Sequence, residues 1–343
     1  MYVLLSMKVH SQIFLRPTVV AILVLLMGRV FAQQPVATAT PGPAGSPAEQ
    51  VATSGQQDPA DAQQNAASPA ETAALPPTND PKEIVRRSIE IDHRNWEKAR
   101  NYTCQQHQVV KHLGKHGEVK STEVKTFDIN FYYGEEYSRL IAIDDKPLSA
   151  KDQKKEDDKL EKFLAKFRKE SEEDRQKRLA KEKKQREEGR AFLRDVVNAY
   201  DFRIVGDETV DGNDTWVIEA TPRKEFHPTQ PHADILSRIK GKVWIDKKEY
   251  NWVKAEAEAT DTISFGLFLV RVHPGSRFNF EQVHLNHEVW LMRRLNIDGS
   301  ARVALLKNEA LDQEDVFSNY KKFVTSVKIL PGVKEVPPQD MPK

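Results

Sequence analysis

The second half of the chain is a succession of short strand-like runs separated by turn residues, and no other feature limits the possible folds as strongly. The runs after Tyr200 cover 202–206, 215–220, 242–246, 252–260, 264–272, 276–285, 287–295 and 301–306. Turn residues stand between several of them, at Asp211-Gly212, Pro274-Gly275, Asn286 and Asp298-Gly299. Tight turns join antiparallel neighbours in a sheet. The pattern therefore predicts a meander, which we expect a last strand at 319–329 to close.

The residues before this meander predict a helix and the first strands of the same sheet. Asp80 caps a helix that has proline at its first position, and Glu83 lies in its first turn. The buried stripe of this helix is expected to contain Ile84, Val85, Ser88 and Ile89. Three further strands are predicted at 102–110, 124–133 and 137–143.

A highly charged segment at 151–198 interrupts the strands. Residues 151–190 include 28 charged residues in 40, a composition typical of a solvated helix. Leu160, Phe163, Leu164 and Phe167 follow the i, i+3, i+4, i+7 pattern of an apolar stripe, so the first part must pack on something. Ser171 with its acidic successors predicts a break and a second helix. The segment is either a passive solvated insertion or an arm or lid that moves against the sheet.

The first 80 residues are not expected to join the core. Residues 1–32 resemble an export signal, with a basic start, an apolar run at 18–28 and the small-residue pattern Val30-Phe31-Ala32 before Gln33. The run is shorter than the ~20 residues of a spanning helix. Residues 33–79 are rich in Ala, Pro and Gln and predict a disordered linker. The tail at 331–343 is expected to be loose. We therefore expect one folded domain at 80–330, located in the periplasm.

Charge and cysteine content exclude several classes of protein. Removal of residues 1–32 takes away Lys8, Arg16 and Arg29 and no acidic residue, so the formal charge falls from +1 to −2. This balance argues against nucleic acid as a partner. The absence of cysteine near the cleavage point argues against a lipid-anchored N-terminus. Cys104 is the only cysteine, which excludes an internal disulfide.

Strand 252–259 alternates small apolar and charged side chains. Val253, Ala255, Ala257 and Ala259 are expected on one face, with Lys254, Glu256 and Glu258 on the other. Because the apolar side chains are small, their face either lies close under a covering helix, which is the commoner arrangement, or borders a space that a ligand fills. These four apolar residues are our candidate ligand-binding positions.

Two stretches of the chain resemble a known superfamily. They are the hairpin formed by 200–206 and 215–222, and the motif Gly241-Lys-Val-Trp-Ile-Asp246 followed by 252–256. Both are similar to strands of the LolA/LolB-like superfamily of outer-membrane lipoprotein-sorting proteins. The resemblance implies an α+β fold, mainly antiparallel β, in which a curved half-barrel sheet is covered by helices and holds acyl chains. The long charged helical insertion departs from the compact members.

No pattern in the chain predicts an enzyme, a metal site or a cofactor. Ser237 and Lys240 have serine-x-x-lysine spacing without the companion motifs. His107, His112 and His116 fall across a strand end and a turn, and His284 and His287 lack a third ligand. We therefore expect a non-catalytic carrier or receptor for a lipid or an acylated protein. The alternatives are an envelope-stress sensor domain that meets its partner through residues 151–198, and a structural adaptor without a ligand.

Overall fold

A computed structural model of the protein describes residues 78–265, 270–303 and 307–323. The expected signal peptide, nearly all of the linker and the C-terminal tail lie outside the described residues. The helices are α1 (Pro81–Ala99), α2 (Ala150–Arg168), α3 (Glu172–Ala199) and one 3-10 helix (Ala233–Arg238). The strands are β1 (Tyr102–Leu113), β2 (Val119–Tyr132), β3 (Glu135–Ile143), β4 (Lys146–Pro147), β5 (Tyr200–Val210), β6 (Asn213–Pro222), β7 (Ile239–Asp246), β8 (Trp252–Ala259), β9 (Ile263–Phe265), β10 (Val270–Val272), β11 (Arg277–Leu285), β12 (Val289–Val303) and β13 (Lys307–Lys322).

The described strands form one open antiparallel sheet. Its order is β4-β3-β2-β1-β13-β12-β11-β8-β7-β6-β5, and the short β9–β10 hairpin joins it where β10 pairs with β12. The first strand pairs with the last, so β1 and β13 link the N-terminal and C-terminal groups of strands. The predicted class, an α+β fold dominated by an antiparallel half-barrel sheet with helices, is confirmed.

The turn residues explain the tight hairpins. Asp211 and Gly212 have φ angles of 48° and 79°, and Asn286 and His287 have φ angles of 51° and 56°. Two successive residues in the left-handed region form the turn whose twist matches that of antiparallel strands, and Asp, Asn and Gly adopt it at least cost. The predicted hairpins at Asp211-Gly212 and Asn286 are therefore confirmed.

The turn predicted at Asp298-Gly299 is wrong. Strand β12 runs straight through both residues, and Gly299 pairs with Leu311 of β13. A Cβ atom on Gly299 would lie 2.6 Å from the Oγ atom of Ser276 and 3.2 Å from its Cα atom. Glycine is therefore needed here for the close approach of the turn before β11, and not for a bend in its own strand.

The last strand begins earlier than predicted. Strand β13 covers 307–322, whereas we expected 319–329. Its inward side carries polar residues as well as Leu311, because Asp315 is buried and accepts hydrogen bonds from the amides of Gln106 (3.0 Å), Gln108 (3.0 Å) and Gln313 (2.6 Å). A strand with polar residues on both faces shows no apolar alternation, so the sequence pattern missed it.

Helix α1 is capped at its start and is held on the sheet by polar contacts farther along its length. The backbone N–H of Lys82 donates to the Asp80 carboxylate at 3.1 Å, which confirms the predicted cap. Farther along, the indole N–H of Trp252 donates to Ser88 Oγ at 2.7 Å. The side-chain N–H of Asn95 donates to the backbone carbonyl of Trp290, and the backbone N–H of Trp290 donates to Asn95 Oδ1, both at 2.7 Å. These bonds set the height and rotation of the helix above the sheet.

The charged insertion forms two helices, as predicted, with Ser171 capping the second. Phe163 lies 4.8 Å from the ring of Tyr137, and Phe167 stacks 5.1 Å from Tyr133, so α2 docks on β3 and the preceding turn through aromatic rings. Within the described part of the chain, no helix combines the length and apolar character needed to cross a bilayer.

We expect a variant that replaces 152–190 with a short linker to keep the sheet folded. The segment packs on the rest of the domain chiefly through Phe163 and Phe167, whereas the last turns of α3, which carry Phe192 and Val196, are retained. Circular dichroism should lose helix and keep strand signal, and urea unfolding should stay cooperative. Loss of the cooperative transition would show instead that the sheet depends on the insertion.

Candidate functional site: an apolar cavity between helices and sheet

A cavity of about 160 Å³ lies between the inner face of the sheet and the helices. Strands β5, β6, β7, β8 and β11 form its floor and sides, and α1, α3 and the 3-10 helix cover it. Its walls are almost entirely apolar. A partly open apolar space of this size is suited to hydrocarbon and offers water few hydrogen-bond partners.

Small residues on neighbouring strands make the floor. Gly241 of β7 pairs with Ala257 of β8, and Val243 pairs with Ala255. A Cβ atom on Gly241 would lie 2.5 Å from the backbone carbonyl oxygen of Glu256, so no larger residue fits this position without moving the strand. The lack of side-chain bulk at Gly241, Ala255 and Ala257 leaves the space above them.

Aromatic residues border the small ones. Phe278 and Phe280 of β11 pair with Ala257 and Ala255, respectively, and also line the cavity. The ring of Trp252 stacks on Phe280, with centroids 6.0 Å apart and planes 4° apart. These rings hold α1 at a distance from the alanines. They cannot fill the space above the alanines without leaving their preferred rotamers.

The roof of the cavity is formed by two helices. Val85, Ile89 and Asp92 lie on one face of α1 at i, i+4 and i+7. Phe192 and Val196 from the last turns of α3 lie beside them. The insertion that seemed separate in the sequence therefore contributes the end of its second helix to the cavity wall.

Only two of the four candidate positions line this cavity. Ala255 and Ala257 lie in its wall and are half-buried. Ala259 packs instead in an adjacent cluster with Ile235, Ile263, Val272 and Ala301.

The expectation that Val253 shares the face of Ala255 is wrong. A β-bulge causes the change: Trp244 pairs with Lys254 and Ile245 pairs with Trp252, so Val253 is the extra residue. Val253 is fully buried, but among Trp244, Trp290 and Val217 rather than in the cavity. Trp252 takes the inward position that the alternation assigned to Val253.

Asp92 brings a carboxyl group to this largely apolar wall. Burial raises its pKa to about 7, because the surroundings cannot solvate the charged form. No hydrogen-bond donor to this carboxyl is found among the described residues. It remains partly accessible because it faces the cavity. The sequence pattern did not single out Asp92, although its spacing from Val85 and Ile89 places it on the buried stripe.

Tyr200 contributes the other polar side chain that lines the cavity from β5. Its ring is buried beside Phe202, with centroids 6.0 Å apart. Burial raises the pKa of its hydroxyl well above the usual range, so the hydroxyl stays neutral. Tyr200 therefore adds no charge to the cavity wall.

The remaining chemical candidates from the sequence form no shared site. Ser237 Oγ donates to the backbone carbonyl of Asp234 at 2.7 Å. His107 lies 2.8 Å from Asp145, whereas His112 lies 3.3 Å from Glu123. In the part of the chain that the structure describes, no three His, Cys, Asp or Glu residues are placed to hold a metal ion.

Cys104 has no reactive surroundings. It is half-buried, and burial together with the nearby Glu136 raises the pKa of its thiol to about 12. A thiol in this state is neutral at physiological pH and a poor nucleophile.

Comparison with known proteins finds similarity at the level of solved structures. A putative outer membrane lipoprotein-sorting protein domain from Vibrio parahaemolyticus is 13% identical, with a TM-score of 0.30, and the match covers 71% of this chain and 95% of that one. A LolA superfamily protein from Nitrosomonas europaea is 10% identical, with a TM-score of 0.24 and coverage of 71% and 94%. The MucA/MucB complex of Pseudomonas aeruginosa contains a chain that is 11% identical, with a TM-score of 0.23 and coverage of 71% and 99%.

No protein-family model matches this chain. No curated protein matches it either.

We expect Asp92→Asn to stabilise the protein at pH 8. Because the pKa is raised, the folded state favours the protonated carboxyl. The contribution of this group to the free energy of unfolding is therefore fully present below about pH 4 and is lost as the pH rises through about 7. Asparagine is neutral at every pH, so the unfolding free energy of the variant at pH 8 should exceed that of the wild type by an amount on the order of 1–3 kcal/mol. Urea unfolding at pH 4.5, 6 and 8 measures this.

The matched control is Glu256→Gln, since the Glu256 carboxylate binds Lys254 at 2.7 Å on the outer face of the same sheet. It should lack the pH-dependent gain. An Asp92→Asn variant that loses stability equally at all three pH values would contradict the assignment of a desolvated carboxyl.

Proposed function

We propose that this domain is a non-catalytic periplasmic binding module, a carrier or receptor for a lipid or an acylated protein, that holds an acyl chain in the cavity above Ala255 and Ala257. One observation carries the proposal: an apolar cavity of about 160 Å³ persists between helices and sheet because the floor is built from small residues. A domain stabilised only by packing would gain free energy by filling this volume.

The walls favour a hydrocarbon ligand. Burial of each methylene contributes roughly 0.8 kcal/mol, so an eight-carbon chain could gain about 6 kcal/mol before ordering costs. That corresponds to binding on the order of tens of micromolar. An envelope location fits this role, and the apolar run at 18–28 supports it.

A sensor that binds a protein partner is the second candidate. The observation that favours it is the exposed charge on the insertion, where α2 docks through Phe163 and Phe167 and presents charged residues such as Lys154 and Asp158 to solvent. In this role the deletion of 152–190 would abolish binding of the partner and leave binding of an acyl probe intact. A carrier and a sensor could share the same cavity, so the two roles are separated by this deletion.

We expect Ala257→Trp to abolish the saturable binding of N-phenyl-1-naphthylamine, an uncharged fluorescent probe. The indole would occupy the space between Gly241 and Phe278, the cross-strand neighbours of Ala257. Because the space is empty, the substitution should change unfolding free energy by less than about 1 kcal/mol, whereas overpacking of a filled core costs about 1–3 kcal/mol. Fluorescence titration and urea unfolding measure the two effects.

The matched control is Ala310→Trp. Ala310 precedes the inward-facing Leu311, so it lies on the opposite face of β13, away from the cavity. Probe binding should be unchanged in this variant. A wild-type protein without saturable probe binding, together with a strongly destabilised Ala257→Trp variant, would favour the structural adaptor.

A further inference from the structure

Asp92 brings an ionisable carboxyl group to the cavity wall, and none of the described residues pairs a cation with it. Asp92 lies on the inner face of α1, one turn beyond Ile89, and the described residues offer it no hydrogen-bond donor. A carboxyl left without partners in apolar surroundings is costly for the fold, whatever its protonation state. A group that serves no packing purpose and faces an empty space is suited to meet a ligand.

The charged residues around the cavity do not compete for this carboxyl. Lys240, Lys242 and Glu256 border the cavity at positions that alternate with Gly241 and Ala257, so their charged ends lie on the outer face of the sheet. There Lys240 pairs with Glu258 at 3.3 Å, and Glu256 pairs with Lys254 at 2.7 Å.

The other elements packed against Asp92 supply no charge to the cavity. The α3 residues in the wall are Phe192, Leu193 and Val196, the 3-10 helix contributes Ile235 and Leu236, and β11 contributes Phe278 and Phe280. Tyr200 is the remaining titratable side chain in the described wall, and its hydroxyl is neutral. The described part of the wall therefore offers Asp92 no cation, and a ligand with an ammonium group would supply one.

We propose that Asp92 is a specificity-determining residue, which makes the cavity prefer amphiphiles with a protonated amine head over carboxylates of the same chain length. This inference rests on the proposed function, because it assigns the head group of a ligand whose chain fills the same cavity. An ammonium head donates hydrogen bonds to the carboxylate and neutralises it. A carboxylate head would put two like charges together in apolar surroundings, so one of them must take up a proton.

The test uses the full mature protein loaded with N-phenyl-1-naphthylamine, an uncharged fluorescent probe. Octylamine, octanol and octanoate are compared as displacing ligands at pH 8, because the three have equal chains and differ only in head group. For the wild type, octylamine should displace the probe at a concentration at least about tenfold lower than octanoate, with octanol between them. At pH 5 this ratio should shrink, since Asp92 is then largely protonated.

Two variants separate the carboxyl at this position from the general charge of the protein. Asp92→Asn keeps the shape of the side chain and removes its charge, so the amine-to-carboxylate ratio should fall to within about twofold. Glu258→Gln removes a charge from the outer face of β8, where Glu258 pairs with Lys240 at 3.3 Å, and should leave the ratio as in the wild type.

The outcomes distinguish the two proposals. Saturable probe binding with equal displacement by octylamine and octanoate, or an unchanged ratio in Asp92→Asn, overturns the specificity role and leaves the binding cavity intact. Stronger displacement by octanoate overturns it as well. A wild-type protein that does not bind the probe saturably overturns the proposed function itself.

Discussion

The domain depends on a contrast of side-chain size across adjacent strands. Gly241, Ala255 and Ala257 lie side by side on the inner face of the sheet, while Phe278 and Phe280 stand next to them on the neighbouring strand. Aromatic rings set the separation between sheet and helices, and the small residues leave that separation unfilled. The cavity is thus a consequence of packing geometry, and its floor tolerates no bulk at Gly241, where a Cβ atom would meet a backbone carbonyl.

Polar anchors then hold the roof in place above this floor. Ser88 accepts a hydrogen bond from Trp252, and Asn95 satisfies both backbone groups of Trp290. Buried polar groups have strict geometric requirements, so these bonds fix the rotation of α1 more tightly than apolar contacts could. That rotation brings Asp92 into the cavity wall. The same helix therefore supplies both the cover of the cavity and the Asp92 side chain in its wall.

Local patterns in the sequence determined much of the fold. Asp80 with Pro81 specified the start of α1, and Ser171 specified the break between α2 and α3, because caps and prolines act within one turn of chain. Asp211-Gly212 and Asn286 specified hairpins, since few residues adopt left-handed backbone cheaply. The motif around Gly241 pointed to the half-barrel. Alternation also placed Ala255 and Ala257 on the inner face, where the structure has them.

Only the tertiary structure decided the features that depend on contacts between distant segments. The bulge that turns Val253 away from Ala255 arises from pairing between β7 and β8, which no single-strand pattern contains. The sequence pattern did not predict most of strand β13. The partners of its buried Asp315 include Gln106 and Gln108 on β1, some 200 residues earlier. The cavity itself is a volume between α-helices, the 3-10 helix and strands that are distant in sequence. Sequence spacing could place Asp92 on the buried stripe of α1, but only the packing of helices against the sheet puts it in an apolar wall where the described residues offer its carboxyl no cation.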